Sequence, residues 1–149
     1  MLWYWMIFVA FIAVSAVFKA TEVIDLPGLA RWPGWVVMGL VLLGPGWMGF
    51  DGGRALIVGE YVTPAKGPRA GQIGSWPRLA RGVGIDPRSA LMKSILLAYG
   101  LASAAAMLAY LSSASWGRSA VVAAAALGLW YWPFVTVINI GVIVLVISA

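Results

Sequence analysis

Residues 89–111 read SALMKSILLAYGLASAAAMLAYL, and the only charged side chain in this stretch is Lys93, near its start. An α-helix rises about 1.5 Å per residue, so the stretch would be about 34 Å long. That is enough to cross the roughly 30 Å hydrocarbon core of a bilayer. Immediately upstream, Asp86-Pro87-Arg88-Ser89 offers a carboxylate at the N-cap and a proline at the first helical position, where its missing N–H costs nothing. The spacing predicts a membrane-spanning helix that starts directly after Asp86.

Three more apolar stretches appear on either side of this one. Downstream, a tight connection at Ser113–Arg118 leads into Ser119–Ala149, which contains Pro133 and Asn139. So short a link makes the two helices antiparallel neighbours. Upstream, Trp35–Val62 is apolar but interrupted by Gly44-Pro45-Gly46 and by Asp51-Gly52-Gly53-Arg54. The first stretch, Leu2–Phe18, ends at Lys19, Glu22 and Asp25. It lacks a positive n-region and reads as a retained helix rather than a cleaved leader. None of the four alternates polar with apolar residues as a membrane β-strand does, which leaves helices as the spanning element. The expected fold is all-α: residues 1–149 form a single domain, an integral membrane bundle of four transmembrane helices whose second helix is interrupted by Gly and Pro. Shifting the second stretch by 88 residues onto the fourth pairs Pro45 with Pro133 and Asp51 with Asn139. In apolar sequence this reads as chance similarity rather than a repeat.

Composition agrees. Of the 149 residues, 62% are hydrophobic and 10% charged, against roughly 25% charged in an ordinary soluble domain. Such a chain has more apolar surface than one aqueous core can hide. There is no Cys and no His. Thiolate and imidazole metal sites, cysteine nucleophiles, histidine acid–base chemistry and histidine ligation of haem are therefore excluded. No phosphate loop or nucleophile–base pair appears, and the expectation is a protein that is not an enzyme and binds no metal. The net charge of +5 points to anionic lipid head groups rather than nucleic acid in so apolar a chain.

The segment from about Thr63 to Arg88 is the largest polar connection. With Lys93 it carries Lys66, Arg69, Arg78, Arg81 and Arg88, six of the ten basic residues, against the single acid Asp86. The positive-inside rule puts this basic loop in the cytoplasm, and with two spans on each side of it both termini follow. The expected location is thus the cytoplasmic (inner) membrane, multi-pass. Trp3, Tyr4 and Trp5 would mark the inner interface, and Trp32, Trp35 and Trp116 the outer one. Arg78, Arg81, Arg88 and Lys93 are the candidates for contact with head groups or a partner. Within the loop, Trp76, Leu79 and Val83 recur at helical spacing with arginines between them. A short interfacial helix would fit, although Gly82 and Gly84 favour a solvated Arg-rich loop.

Candidate functional residues lie inside the spans. Asp51 and Arg54 share a helical face and can pair. Ionisable groups at that depth are costly and point to function, although Arg54 can also snorkel to the interface with Asp51 neutralising it. Asn139, at a similar expected depth, is a partner for Asp51 or a bundle stabiliser. Glu60 closes the second helix beside the basic loop, where an ion pair would be worth little. Gly49 and Gly53, and Gly100 and Ala104, are small residues at four-residue spacing, the pattern that lets helices approach closely. Trp130, Tyr131 and Trp132 form an aromatic cluster, read as helix packing or as a pocket for an apolar ligand.

Two classes of function follow. The leading one is a small non-catalytic membrane protein, acting as a subunit, assembly factor or scaffold through helix packing and its basic loop. It would work with membrane lipids, as a homo-oligomer or within a larger membrane complex. The alternative is a small oligomeric channel or transporter with Asp51, Arg54, Glu60 and Asn139 along its pathway. No cofactor is predicted, but a quinone, pigment or lipid at Trp130–Trp132 is a third reading.

Overall fold

The computed structural model describes residues 34–66, 70–73, 75–131 and 134–148. The expected first span, Leu2–Phe18, lies outside the described residues, as do Arg69, Trp132 and Pro133. Every element among the described residues is helical. Helix α1 is Gly34–Val58, α2 is Pro77–Gly82, α3 is Ala90–Leu111, α4 is Gly117–Leu127 and α5 is Phe134–Ser148. Of these, α1 and α3 are long and apolar enough to cross a membrane.

The interruption expected at Gly44–Gly46 is a π-helical turn, Leu42–Gly46, with Pro45 inside it. Proline has no N–H to donate and its ring collides with the preceding turn. One widened turn absorbs both effects without stopping the helix. Asp51–Arg54 does not interrupt α1 at all. The helix stops at Gly59, whose φ of +94° suits glycine and whose N–H returns to the carbonyl of Ala55.

Helix α3 starts later than the spacing predicts. Its N-cap is Ser89, whose hydroxyl accepts the Met92 N–H. Asp86 instead closes the turn before it, accepting the Arg88 N–H at Oδ1 and the Ser89 N–H at its carbonyl. Helix α3 then runs antiparallel to α1 at close range. A Cβ on Gly49 would lie 2.8 Å from Gly100 Cα, and one on Gly52 would lie 2.7 Å from the Lys93 carbonyl oxygen. These glycines are where the two backbones touch.

The fourth apolar stretch differs from the expectation of one long helix. It is an antiparallel hairpin: Arg118, at the start of α4, donates Nε–H to the carbonyl of Val146, near the end of α5. The break has a local cause. Gly128 ends α4 with its N–H on Ala124 and Ala125, and a side chain there would run into the Tyr99 hydroxyl and the Asn139 amide. Thr136 then ties the start of α5 back to the turn by donating to the Leu129 carbonyl. Helices of 11 and 15 residues reach only about 16 and 22 Å. Ser148 therefore lies at the end of the bundle opposite the basic loop, not at the same end as the expected topology required.

The hairpin divides the molecule in two. At the far end, α1, α3, α4 and α5 pack around Val37, Met38, Val41, Met107, Leu111, Val121, Val142 and Val146. The exposed Trp35 and Trp116 also lie at this end. At the loop end, among the described residues, only α1 and α3 continue, and the connection between them packs beneath the hairpin. Its Trp76 is 1% exposed and packs with Met48, Ala55, Tyr61, Met92, Leu96 and Val135.

Candidate binding site at the loop end

Helix α2 is the short helix that the loop sequence left open against a solvated loop. Pro77 occupies its first turn, and Gly84 at φ +80° ends it, with Ile85 N–H bonded to Ala80 and Gly84 N–H to Arg81. That is a Schellman stop. The buried face is Trp76, Pro77 and Ala80, whereas Leu79 and Val83 are exposed together with Arg78 and Arg81. Burying the largest ring in the loop fixes the orientation of α2. The Trp76 ring stacks on Tyr131 at 5.5 Å and meets Tyr61 and Trp130 edge-on at 5.5 and 6.2 Å. The aromatic residues of the hairpin turn are thus held by the loop, in arrangements that add favourable quadrupole contacts.

Three charged side chains hold the start of the loop by its backbone. Asp51 is 4% exposed and accepts the Val62 N–H at 2.6 Å. Arg54 donates to the Glu60 carbonyl at 2.8 Å. Lys93 donates from α3 to the Gly59 carbonyl at 2.7 Å. Charge-assisted bonds of this kind are the strong ones. Asp51 and Arg54 thus act on one backbone turn, residues 59–62, instead of bonding each other. Tyr61 follows, its hydroxyl donating to the Pro87 carbonyl at 2.8 Å. Burial, with help from the Asp51 and Asp86 carboxylates, pushes its phenol up to about 12.

Beside this turn lies a cavity of about 370 Å³, lined by Gly59, Glu60, Tyr61, Thr63, Gly71, Ile73 and Arg88. Among the described residues it holds one carboxylate and one guanidinium, and neither Glu60 nor Arg88 has a side-chain partner there. Ile57 and Val58, which precede Gly59 in the chain, and Leu91, which follows Arg88, are exposed apolar residues. Among the described residues no three carboxylates gather as a metal site would need.

Asn139 is elsewhere. Because the fourth stretch folds back, Asn139 meets α3, its Nδ2 donating to the Tyr99 hydroxyl at 3.4 Å, and Tyr99 donates in turn to the Ala124 carbonyl. The bond to Asp51 that a single long helix would allow does not form. Among the described residues Asn139 Oδ1 is buried without a partner. Of the small residues singled out by spacing, Gly49 and Gly100 touch, whereas Gly53 meets only the tip of Leu97, at 3.3 Å, and Ala104 is half-buried. Four-residue spacing missed Gly52, which lies against the backbone of α3. It also missed Trp76 as a core residue, and Tyr99 and Gly128 as neighbours of Asn139. The three-residue step from Gly49 to Gly52 is the signal that finds the first of these. No protein-family model matches the chain, no curated protein matches it, and no solved structure matches it.

Proposed function

We propose that this chain is an integral protein of a cytoplasmic-type membrane that works by binding and not by catalysis, a subunit or scaffold whose folded loop is its contact surface. The observation that carries this reading is the fixed presentation of α2. Trp76 is locked in the core, while Arg78, Leu79, Arg81 and Val83 are held outward. Basic residues beside exposed apolar ones suit a surface of anionic head groups. The chain has no cysteine, so single-cysteine variants test the reading on a clean background. A membrane-impermeant maleimide should label Leu79→Cys only from the cytoplasmic side and Ser115→Cys only from the other. Labelling of both from one side, or a chain that is monodisperse without detergent, refutes it.

A channel or transporter is the second reading, favoured by one observation. Among the described residues Asn139 Oδ1 is a buried polar atom left unpaired, and its amide lies against Gly128 at the end of α4, the kind of place where transporters bind ions. Flux in proteoliposomes that disappears in Asn139→Leu, while the variant's melting temperature holds, would establish it. Loss of stability without any change in flux would leave this group to packing.

A further inference from the structure

We propose that the cavity beside residues 59–63 binds the zwitterionic head group of a phosphoethanolamine lipid, with the phosphate at Arg88 and the ammonium at Glu60. The inference rests on the reading of the chain as a membrane protein and goes beyond it by naming what this pocket takes.

The argument starts from charge. Among the described lining residues the pocket holds one carboxylate, on Glu60, and one guanidinium, on Arg88. Three nearby charges are committed to backbone: Arg54 to the Glu60 carbonyl, Lys93 to the Gly59 carbonyl, and Asp86 to the Arg88 N–H. A purely anionic ligand would place its charge beside Glu60, and a purely cationic one beside Arg88. A ligand carrying both signs a few bonds apart answers both. Guanidinium matches phosphate oxygens by its planar fork, and carboxylate accepts the N–H groups of a primary ammonium.

Size and position narrow the class further. A volume of about 370 Å³ is at the small end of ligand pockets, roughly 300–1,000 Å³, and suits a head group rather than a whole lipid. The chains would have to leave the pocket along apolar surface; Ile57 (89% exposed) and Val58 (60%) directly precede the lining residue Gly59 in the chain, and Leu91 (61%) lies three residues after Arg88. A free solute has no use for such neighbours. The floor is fixed, since Tyr61 is held on Pro87 and Trp76, so the pocket is formed before the ligand arrives. Thr63 adds a hydroxyl at its wall.

The test uses the full chain, purified in detergent and titrated with defined lipids, binding being followed by native mass spectrometry and by melting temperature. Phosphatidylethanolamine should bind at least tenfold more tightly than phosphatidylcholine, whose quaternary ammonium offers Glu60 no N–H. It should also bind more tightly than phosphatidylglycerol. Glu60→Gln and Arg88→Gln should each remove the preference while the lipid-free melting temperature stays unchanged, since both side chains are exposed. Equal binding of all three lipids, or tighter phosphatidylglycerol binding that Glu60→Gln strengthens, overturns the proposal. Glycerophosphoethanolamine binding as tightly as the lipid overturns a membrane source. If cysteine labelling shows both ends of α3 on one side, the underlying membrane reading fails instead.

Discussion

The Arg118 guanidinium donates from Nε to the Val146 carbonyl at 2.8 Å, and from Nη2 toward the next carbonyl, that of Ile147. One side chain thus joins the first turn of α4 to the last turn of α5. It also places a cation at the negative end of the α5 dipole, where the last carbonyls have no helical partner. Replacing Arg118 by Met should cost about 1–3 kcal/mol, the range for a hydrogen bond to a charged group. Unfolding in a denaturing detergent would measure it. The loss should appear as fraying of α5, with α1 and α3 still packed.

The contact between α1 and α3 makes a graded prediction. At Gly49 and Gly52 an added methyl meets backbone at 2.8 and 2.7 Å, which can yield only if the helices separate. Gly49→Ala and Gly52→Ala should each cost about 1–3 kcal/mol, as overpacking does. At Gly53 the methyl meets only the Leu97 side-chain tip, at 3.3 Å. There the better helix propensity of alanine, roughly 1 kcal/mol, should offset the contact. Equal losses at all three positions would refute this account of the interface.

Trp76 separates packing from hydrogen bonding. Among the described residues its Nε1 makes no hydrogen bond of good geometry, so the ring and not the donor should carry most of its effect. Trp76→Phe keeps an aromatic ring and leaves the smaller cavity, so it should cost less than Trp76→Ala. Trp76→Ala should lose about 3–5 kcal/mol through the cavity it leaves. Melting of the two variants in the same detergent is the comparison to make.

The phenol of Tyr61 gives a pH dependence. Burial, with the nearby Asp51 and Asp86 carboxylates, holds it neutral up to about 12, whereas an unfolded tyrosine ionises near 10. Between those values the unfolded chain has released a proton that the folded chain keeps, so stability falls as pH rises. Its contribution is complete below about pH 10 and gone above about pH 12. Tyr61→Phe should flatten this part of the stability curve while losing the bond to Pro87.

Much of the fold is legible in the residues, and the exceptions have physical reasons. The length of α3 follows from its nearly unbroken hydrophobicity, which a bilayer-length criterion reads directly, whereas α1 spans a comparable length although Pro45 and Asp51–Arg54 break its apolar run. The fourth stretch passes the same criterion yet folds back, because hydropathy counts apolar residues and does not see that Gly128 leaves room for the Tyr99 hydroxyl. Asp51 looks like a partner for Arg54 from their spacing, but the backbone turn at 59–62 attracts both more strongly than they attract each other. The cavity is the least legible feature. Glu60 and Thr63 lie far from Arg88 in sequence, and the connection that carries the buried Trp76, which looked like an interfacial anchor, brings them to one cavity.

Residues 128–131 lead out of α4 into the hairpin turn, and backbone outside a helix is costly wherever water is excluded unless it finds partners. Trp76 packs against Trp130 and Tyr131 of that turn and is itself backed by Tyr61. Shelter and hairpin therefore depend on each other, and neither is complete alone. The covering segment precedes the hairpin in the chain, so during synthesis it leaves the ribosome before the helices that it shelters.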